Sequence, residues 1–502
     1  MKYDFHNKKF IELDKSPNKL SIAGSDRDID WNALKEKVEL FSKELKKLNI
    51  PTGHPVLIFG HKEHTFPVSI LSCIHSSIAY IPIDKIYPKD RIKRIIEISG
   101  TQILINLSDE VLDFQFAICI NSALEIKINH PPDFENRIYG TNDDPLQYIM
   151  FTSGSTGEPK GVQITRQSSL TFTDWLISDY GYGDDEVIIN QAPFSFDLSL
   201  YDLMTTFSIG ASLVLNSIEI FSNPELFLKR IFDYRCTVWI STPSFAFLFL
   251  RNSNFNTDEF QCLNTFLFIG ETLPNRTAKI LKSRFPKARI FNAYGPTEAT
   301  VATSLIELTS DMIEKYPSLP IGYPMPGSEL LIDKIYDDDK DGELIIVGNH
   351  VSIGYLKNDD LNTKKFFIHK GKRAFRTGDL AYYEDGILFF IGRNDEQIKM
   401  HGFRIELNEI SNVICKNPNI SDAITVPLKR NNEVKKIVSF VIVKTKISQT
   451  ELLKDLMASL KKTLPYYMIP GDISIVPDFP YSTSHKIDKI ILIEEYILKQ
   501  NR

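Results

Sequence analysis

The chain has 502 residues, 43% of them hydrophobic and 24% charged, the proportions of a folded globular protein rather than a disordered or fibrous one. That length exceeds one ordinary core and predicts two to four folding units. A net charge of −6 lacks the basic excess of a nucleic-acid binder and excludes that class.

The first residues, MKYDFHNKKF, contain no apolar stretch of the kind a signal peptide needs. The most apolar run, residues 68–83, is broken by serines and His75, too short and polar for membrane insertion. Five cysteines are scattered without a C-x-x-C pair, as expected of reduced thiols. The expected setting is the cytoplasm.

In chain order, Asp30 is placed to cap a helix in which Leu34, Val38, Phe41, Leu45 and Leu48 recur on one face. A short buried strand follows at 55–60. Helix-then-strand recurs at 91–99 with 103–105, at 224–234 with 237–241, and at 276–285 with 288–292. This alternation predicts an α/β fold of mostly parallel βα sheets, with ligands beyond the C-terminal strand ends. From about residue 327, short strands and turns predict a small antiparallel β subdomain, with Asp385-Gly386 as one hairpin turn. Beyond Asp395 come a helix near 407–415, strands near 423–426 and 437–443, and a helix with Leu452, Leu456, Leu460 and Leu464 in register. The expected division is a large domain over 1–394 and a smaller α+β domain over 395–502, joined at a short polar hinge.

Residues 148–161, YIMFTSGSTGEPKG, run from a buried strand into a loop with hydroxyls at Thr152, Ser153, Ser155 and Thr156, three glycines, and Lys160. That composition suits a phosphate chain: glycines let backbone N–H groups approach oxygens, hydroxyls donate, and the lysine adds charge. It is not a Walker A loop, because Pro159 precedes the lysine and Gly161 follows it. Residues 292–298, NAYGPTE, offer an amide, an aromatic face, a hydroxyl and a carboxylate able to hold magnesium against phosphates. Asp379, in RTGD, sits beside a glycine, as needed to accept both hydroxyls of a ribose. Arg393 supplies a cation just before the hinge, and Lys486 lies in a late polar loop.

With IAYIPID at 78–84, FNAYGPTEAT at 291–300 and GRNDEQIKMHGFRIE at 392–406, the chain resembles the adenylate-forming enzymes over nearly its whole length. That family includes acyl-CoA ligases and peptide-synthetase adenylation domains. The resemblance implies ATP and Mg2+ as cofactors and a mobile C-terminal domain. Thr152, Ser153, Ser155, Thr156 and Lys160 would hold the β- and γ-phosphates. Asn292, Ala293, Tyr294, Gly295, Pro296 and Thr297 would bind adenine and the α-phosphate, with Tyr294 stacking on the base. Glu298 would ligate the metal, Asp379 would take the ribose hydroxyls, and Arg393 would contact ribose or phosphate. Asp395 would be the hinge. Lys486 would be catalytic, reaching the reacting α-phosphate and carboxylate oxygens.

Within that family, the segments at 190–199, 241–246, 266–271 and 293–302 are similar to members that load D-alanine on a carrier protein. Asp197 matches their position for an α-ammonium, and a buried cation needs a carboxylate partner. The other reading of Asp197 is a helix cap. Apart from the Tyr201 phenol, the matching pocket positions Leu198, Ile240, Leu267, Ile269, Ala293, Val301 and Ala302 are apolar, implying a small uncharged side chain. Two departures stand out. Ile269 replaces the cysteine general among those members, which leaves glycine, L-alanine and L-proline open, as for a free-standing adenylation enzyme of a natural-product route. His485 stands where the family favours glycine. The implied partner is a small acidic phosphopantetheinylated carrier protein, and residues 395–502 hold 16 Lys and Arg against 13 Asp and Glu.

Overall fold

The computed structural model describes residues 1–12, 19–112, 114–123, 125–134, 140–141, 143–154, 158–179, 181–334, 339–395, 397–430, 433–444, 448–480 and 487–500. Contacts divide the chain into two units. The first comprises Met1–Lys85, Ile96–Phe151 and Gly161–Asn394. The second comprises Asp395–Arg502 together with two segments from early in the chain, Ile86–Ile95 and Thr152–Lys160.

Among the described residues the first unit is built on a nine-stranded sheet, a seven-stranded sheet and a five-stranded β subdomain. In the nine-stranded sheet Val187–Asn190, Val238–Ser241, Thr265–Phe268 and Arg289–Tyr294 are neighbours and parallel. Val238–Ser241 and Thr265–Phe268 are buried at every position, which is why they read as unbroken apolar runs rather than alternating ones. Antiparallel strands flank the parallel ones, Ser304–Glu307 followed by Tyr323–Pro324 on one side and Asp28–Asp30 on the other. In the seven-stranded sheet Leu146–Thr152 lies parallel to Ala79–Asp84, itself parallel to Pro55–Gly60.

Helix Trp31–Lys47 starts where the capping signal predicts: the Asp30 side chain accepts from the Ala33 N–H at 2.8 Å. Its buried face carries Leu34, Val38, Phe41 and Leu45, while Leu48 is the C-cap rather than a further position of that face. The β subdomain is antiparallel throughout. Its Asp385-Gly386 turn has φ of +53° and +77°, the two left-handed residues that a tight hairpin requires. In the second unit, strand Glu433–Val443 pairs antiparallel with Ile420–Arg430 and parallel with Asp472–Ile475. Helices Leu407–Cys415 and Gln449–Thr463 contribute Leu407, Ile410, Leu452, Leu456 and Leu460 to one shared core. No helix among the described residues is long and apolar enough to cross a membrane.

A second core in the first unit is centred on Trp239, fully buried, with Phe227, Phe249 and Phe255 at centroid distances of 5.6, 5.5 and 5.3 Å. Its indole N–H donates to Ser241 Oγ at 2.7 Å. Trp239→Ala should therefore cost about 3–5 kcal/mol, read as the shift in a urea unfolding midpoint multiplied by an unchanged slope.

Candidate active site

Strand Leu146–Thr152 is buried at its first six positions, and the Ser/Gly loop leaves from its C-terminal end. Ser155 and Thr156 lie outside the described residues, as does Lys486. Three described donors of the loop, all within the second unit, meet acceptors. Ser153 Oγ donates to the Arg404 carbonyl at 2.8 Å, and the Gly154 N–H donates to Glu409 Oε2 at 3.0 Å. Lys160 Nζ lies 3.1 Å from Glu406 Oε1, both side chains being largely buried. The other Glu409 oxygen accepts from Arg91 at 2.8 Å. Position 154 must be glycine: a Cβ there would sit 1.9 Å from the Glu158 carbonyl oxygen. The Thr152 hydroxyl is buried with no hydrogen-bond partner among the described residues, a state that few native polar groups occupy without a ligand or water to meet them. The loop therefore presents oriented N–H and ammonium donors to anionic oxygens, here those of two glutamates.

A second group of predicted residues meets in the first unit. Asp379 and Arg393 face each other across paired strands and form an ion pair. The Tyr294 hydroxyl donates to the other Asp379 oxygen, and Arg393 also donates to the Thr377 carbonyl at 3.1 Å. Burial first, and then the Asp379 charge, push the Tyr294 phenol well above its ordinary range, so it stays a donor. Each carboxylate oxygen of Asp379 keeps a further lone pair for a ligand hydroxyl. Asn292 is committed to the Pro320 carbonyl at 2.7 Å.

Past Tyr294 the chain turns sharply through Gly295, Pro296 and Thr297. A Cβ on Gly295 would meet the Ala302 Cα at 2.5 Å, so the returning chain can pass only over glycine. Thr300 and Val301 have φ of +51° and +71°, costly for β-branched residues and found mainly where function demands it. Their turn is held by His350, whose carbonyl accepts from Thr300 Oγ1 at 2.5 Å and whose Nε2 lies 2.8 Å from Thr303 Oγ1. Glu298 is fully buried and accepts from the Tyr355 hydroxyl at 2.6 Å.

Asp197 precedes helix Leu198–Ile209 with αR backbone angles and makes no side-chain capping bond. It is 8% exposed. The capping alternative is therefore not what holds it. Leu198, Tyr201, Ile240, Leu267, Ile269, Ala293, Val301 and Ala302 belong to one cluster of buried residues. Register explains part of this: Ser241, Phe268 and Asn292 lie side by side, so Ile269 and Ala293 emerge together at the strand ends.

A family model described as "AMP-binding enzyme" matches residues 11–356, and "AMP-binding enzyme C-terminal domain" matches 409–486. The chain belongs to the AMP-binding enzyme family. Among relatives of this AMP-binding enzyme is the D-alanine–D-alanyl carrier protein ligase of Bacillus licheniformis, 37% identical over 488 residues, 95% of this chain and 97% of that one. The ligase of the same name from Bacillus cytotoxicus is 36% identical, covering 96% and 97%. Two solved structures share the fold. The Vibrio cholerae adenylation domain AlmE, in complex with glycyl-adenosine-5'-phosphate, has a TM-score of 0.81 at 20% identity, covering 96% of this chain and 95% of that one. Holo-PA1221, which contains adenylation and PCP domains, has a TM-score of 0.77 at 23% identity, covering 95% and 82%.

Several residues of this AMP-binding enzyme site escape sequence reasoning. Glu406 stands in the quoted motif at 392–406 and Glu409 just past it, but nothing in spacing alone joins them to a loop some 250 positions earlier. Tyr148 reads as strand wall, yet its buried hydroxyl has no hydrogen-bond partner among the described residues. Its pKa is driven well up by burial, then by Tyr80 and the Asp197 charge, so it stands within electrostatic reach of that carboxylate.

His350 carries a pH consequence. Burial, aided by the Arg373 charge, lowers its pKa from 6.5 to about 3. The unfolded chain takes up a proton below pH 6.5 that the folded chain refuses, so stability falls as pH drops from 6.5 toward 3. His350→Gln should flatten this slope by up to about 1.4 kcal/mol per pH unit, read from urea midpoints at pH 7 and pH 5.

Proposed function

We propose that this AMP-forming acid–thiol ligase adenylates D-alanine with ATP and transfers it as a thioester to the phosphopantetheine of a carrier protein. The relatives that align over nearly its full length are named as ligases of D-alanine and a D-alanyl carrier protein, which supports this reading. The observation that carries the amino-acid part is Asp197: a buried carboxylate, not used as a helix cap, at the edge of an apolar cluster. An α-ammonium on the acyl group is a cation that a buried carboxylate is suited to meet.

Forming the acyl-adenylate asks for charge stabilisation more than covalent chemistry. A carboxylate oxygen of the amino acid attacks the α-phosphorus, and pyrophosphate leaves. The substrate is already the nucleophile, so the protein must hold two anions together and steady the departing charge. The Ser/Gly loop, with Lys160, Ser153 and the Gly154 N–H, would receive the β- and γ-phosphates; Lys160 and the Gly154 N–H already meet carboxylate oxygens, and Ser153 a main-chain carbonyl. Asp379 with Arg393 would take the ribose, and residues 292–297 the adenine and α-phosphate. Lys486, outside the described residues, would bring its ammonium to the α-phosphate. After the hinge at Asp395 moves, the carrier thiol would attack the adenylate carbonyl and AMP would leave.

Mg2+ fits in a limited way. Among the described residues no three His, Cys, Asp or Glu side chains gather into a cage. A single carboxylate, Glu298, oriented by Tyr355, suits an ion that takes most of its oxygens from phosphates and water. Bound there, the ion would offset phosphate charge. ATP and a soluble carrier as partners fit a cytoplasmic setting.

A second reading, activation of glycine, L-alanine or L-proline, is favoured by the buried Ile269 in the same cluster. A one-methyl difference in such a wall is worth only about 1–3 kcal/mol. Amino-acid-dependent exchange of labelled pyrophosphate into ATP separates the two: D-alanine should exchange at least tenfold faster than L-alanine, glycine, L-proline or L-serine. Equal rates with D- and L-alanine would overturn the first reading. Asp197→Asn should lower kcat/KM for the amino acid by about 10²-fold with KM for ATP unchanged. Lys486→Ala should abolish exchange while sparing transfer from a pre-made adenylate; equal loss of both steps would rule out its assigned role.

A further inference from the structure

Lys62 is fully buried and follows strand Pro55–Gly60 by two residues. Its ammonium donates to Asn190 Oδ1 at 2.5 Å and to the Ala192 carbonyl, and lies 4.3 Å from the centre of the Phe194 ring. Asn190 in turn donates to Asp202 Oδ2 at 2.7 Å, on the helix that begins just after Asp197. One lysine thus touches alternate residues 190, 192 and 194 of the stretch that delivers Asp197, and through Asn190 it reaches the helix on the far side.

The base of this strut is itself fixed. His61 Nε2 accepts from the Ile218 N–H at 3.2 Å, which leaves Nδ1 to donate to Asp84 at 2.7 Å. The Lys62 carbonyl accepts from Ser25 Oγ at 2.8 Å. At the other end, the Asn190 carbonyl accepts from the backbone N–H of Asn216 and from its side chain, both at 3.1 Å. The lysine therefore spans from the end of a strand in the seven-stranded sheet to the end of one in the nine-stranded sheet, with both anchorages held.

Burying an ammonium costs several kcal/mol even when it is paired, and an apolar side chain of the same length would fill the space more cheaply. Packing alone therefore does not call for a lysine here. What the ammonium does that a methyl cannot is hold two acceptors, a side-chain amide and a main-chain carbonyl, at fixed places on one short segment. We propose that Lys62 is a positioning residue for the amino-acid site, fixing residues 190–197 in the shape that presents the Asp197 carboxylate. The inference rests on the reading of Asp197 as the partner of the substrate ammonium. Its neighbourhood agrees with a charge held against the grain: burial lowers the Lys62 pKa to about 7 and pushes Asp202 well up.

The test is pyrophosphate exchange with Lys62→Met and with the double variant Lys62→Met/Asp202→Asn, which removes both buried charges. In each, KM for the amino acid should rise at least tenfold while KM for ATP stays within twofold. Preference for D-alanine over D-lactate, which lacks the ammonium, should fall by a similar factor. The double variant should recover melting temperature lost by the single one without recovering the amino-acid KM. Lys62→Met with an unchanged amino-acid KM and preference, or KM values for amino acid and ATP rising together, would overturn the proposal, as would a double variant that restores the KM. If the single variant does not fold, the double variant carries the same comparison. An Asp197→Asn enzyme that kept its preference for D-alanine over D-lactate would instead remove the reading on which the inference rests.

Discussion

Parallel alignment of neighbouring strands is the constraint on which the other features depend. Val187–Asn190, Val238–Ser241, Thr265–Phe268 and Arg289–Tyr294 all end on one side of the nine-stranded sheet. Side chains separated by a hundred positions therefore leave the sheet as near neighbours, which is how Asp197, Ile269 and the turn at Gly295 come to one edge. The helices between strands make this possible, since a parallel pair needs a crossover and cannot be joined by a tight turn.

Complementarity to anions is the second organising theme. The Ser/Gly loop offers a lysine, a hydroxyl and a backbone N–H that meet the oxygens of Glu406 and Glu409 and the Arg404 carbonyl. Carboxylate and phosphate oxygens ask for similar donors, so the arrangement says what kind of atom the loop accepts. Asp379, by contrast, is an acceptor already steadied by Tyr294 and Arg393, suited to hydroxyls rather than to phosphate.

Much of this was legible in the sequence because it depends on local signals. The Asp30 cap, the 3.6-residue spacing of Leu34 to Leu45, and the Asp385-Gly386 turn each declare themselves within a few positions. The Asp379–Arg393 partnership was nearly so, since two strands and a hairpin separate the residues. What stayed hidden was non-local. The small strand Leu20–Ala23 joins the nine-stranded sheet beside Ser212–Leu215, a pairing that no short-range pattern encodes. Residues 86–95 and 152–160 group with the C-terminal part of the chain, although their sequence gives no boundary. Lys62 hid for another reason: a lysine between a histidine and a glutamate just after a strand has the polar surroundings of a surface turn, and only the fold shows it buried.

The turn at Thr300 and Val301 bears on how this site could change. A β-branched residue at φ +71° sits where glycine would relieve the backbone but remove a piece of wall, and where most other side chains would inherit the strain. Mutational drift at that position is therefore penalised in both directions. Ile269 has no such backbone penalty, and its neighbour Gly270 takes the left-handed geometry instead, at φ +93°. In the proposed acyl site, altered side-chain preference should over time accumulate at 269 long before it accumulates at 301, so one proposed wall is evolvable and the other is nearly frozen.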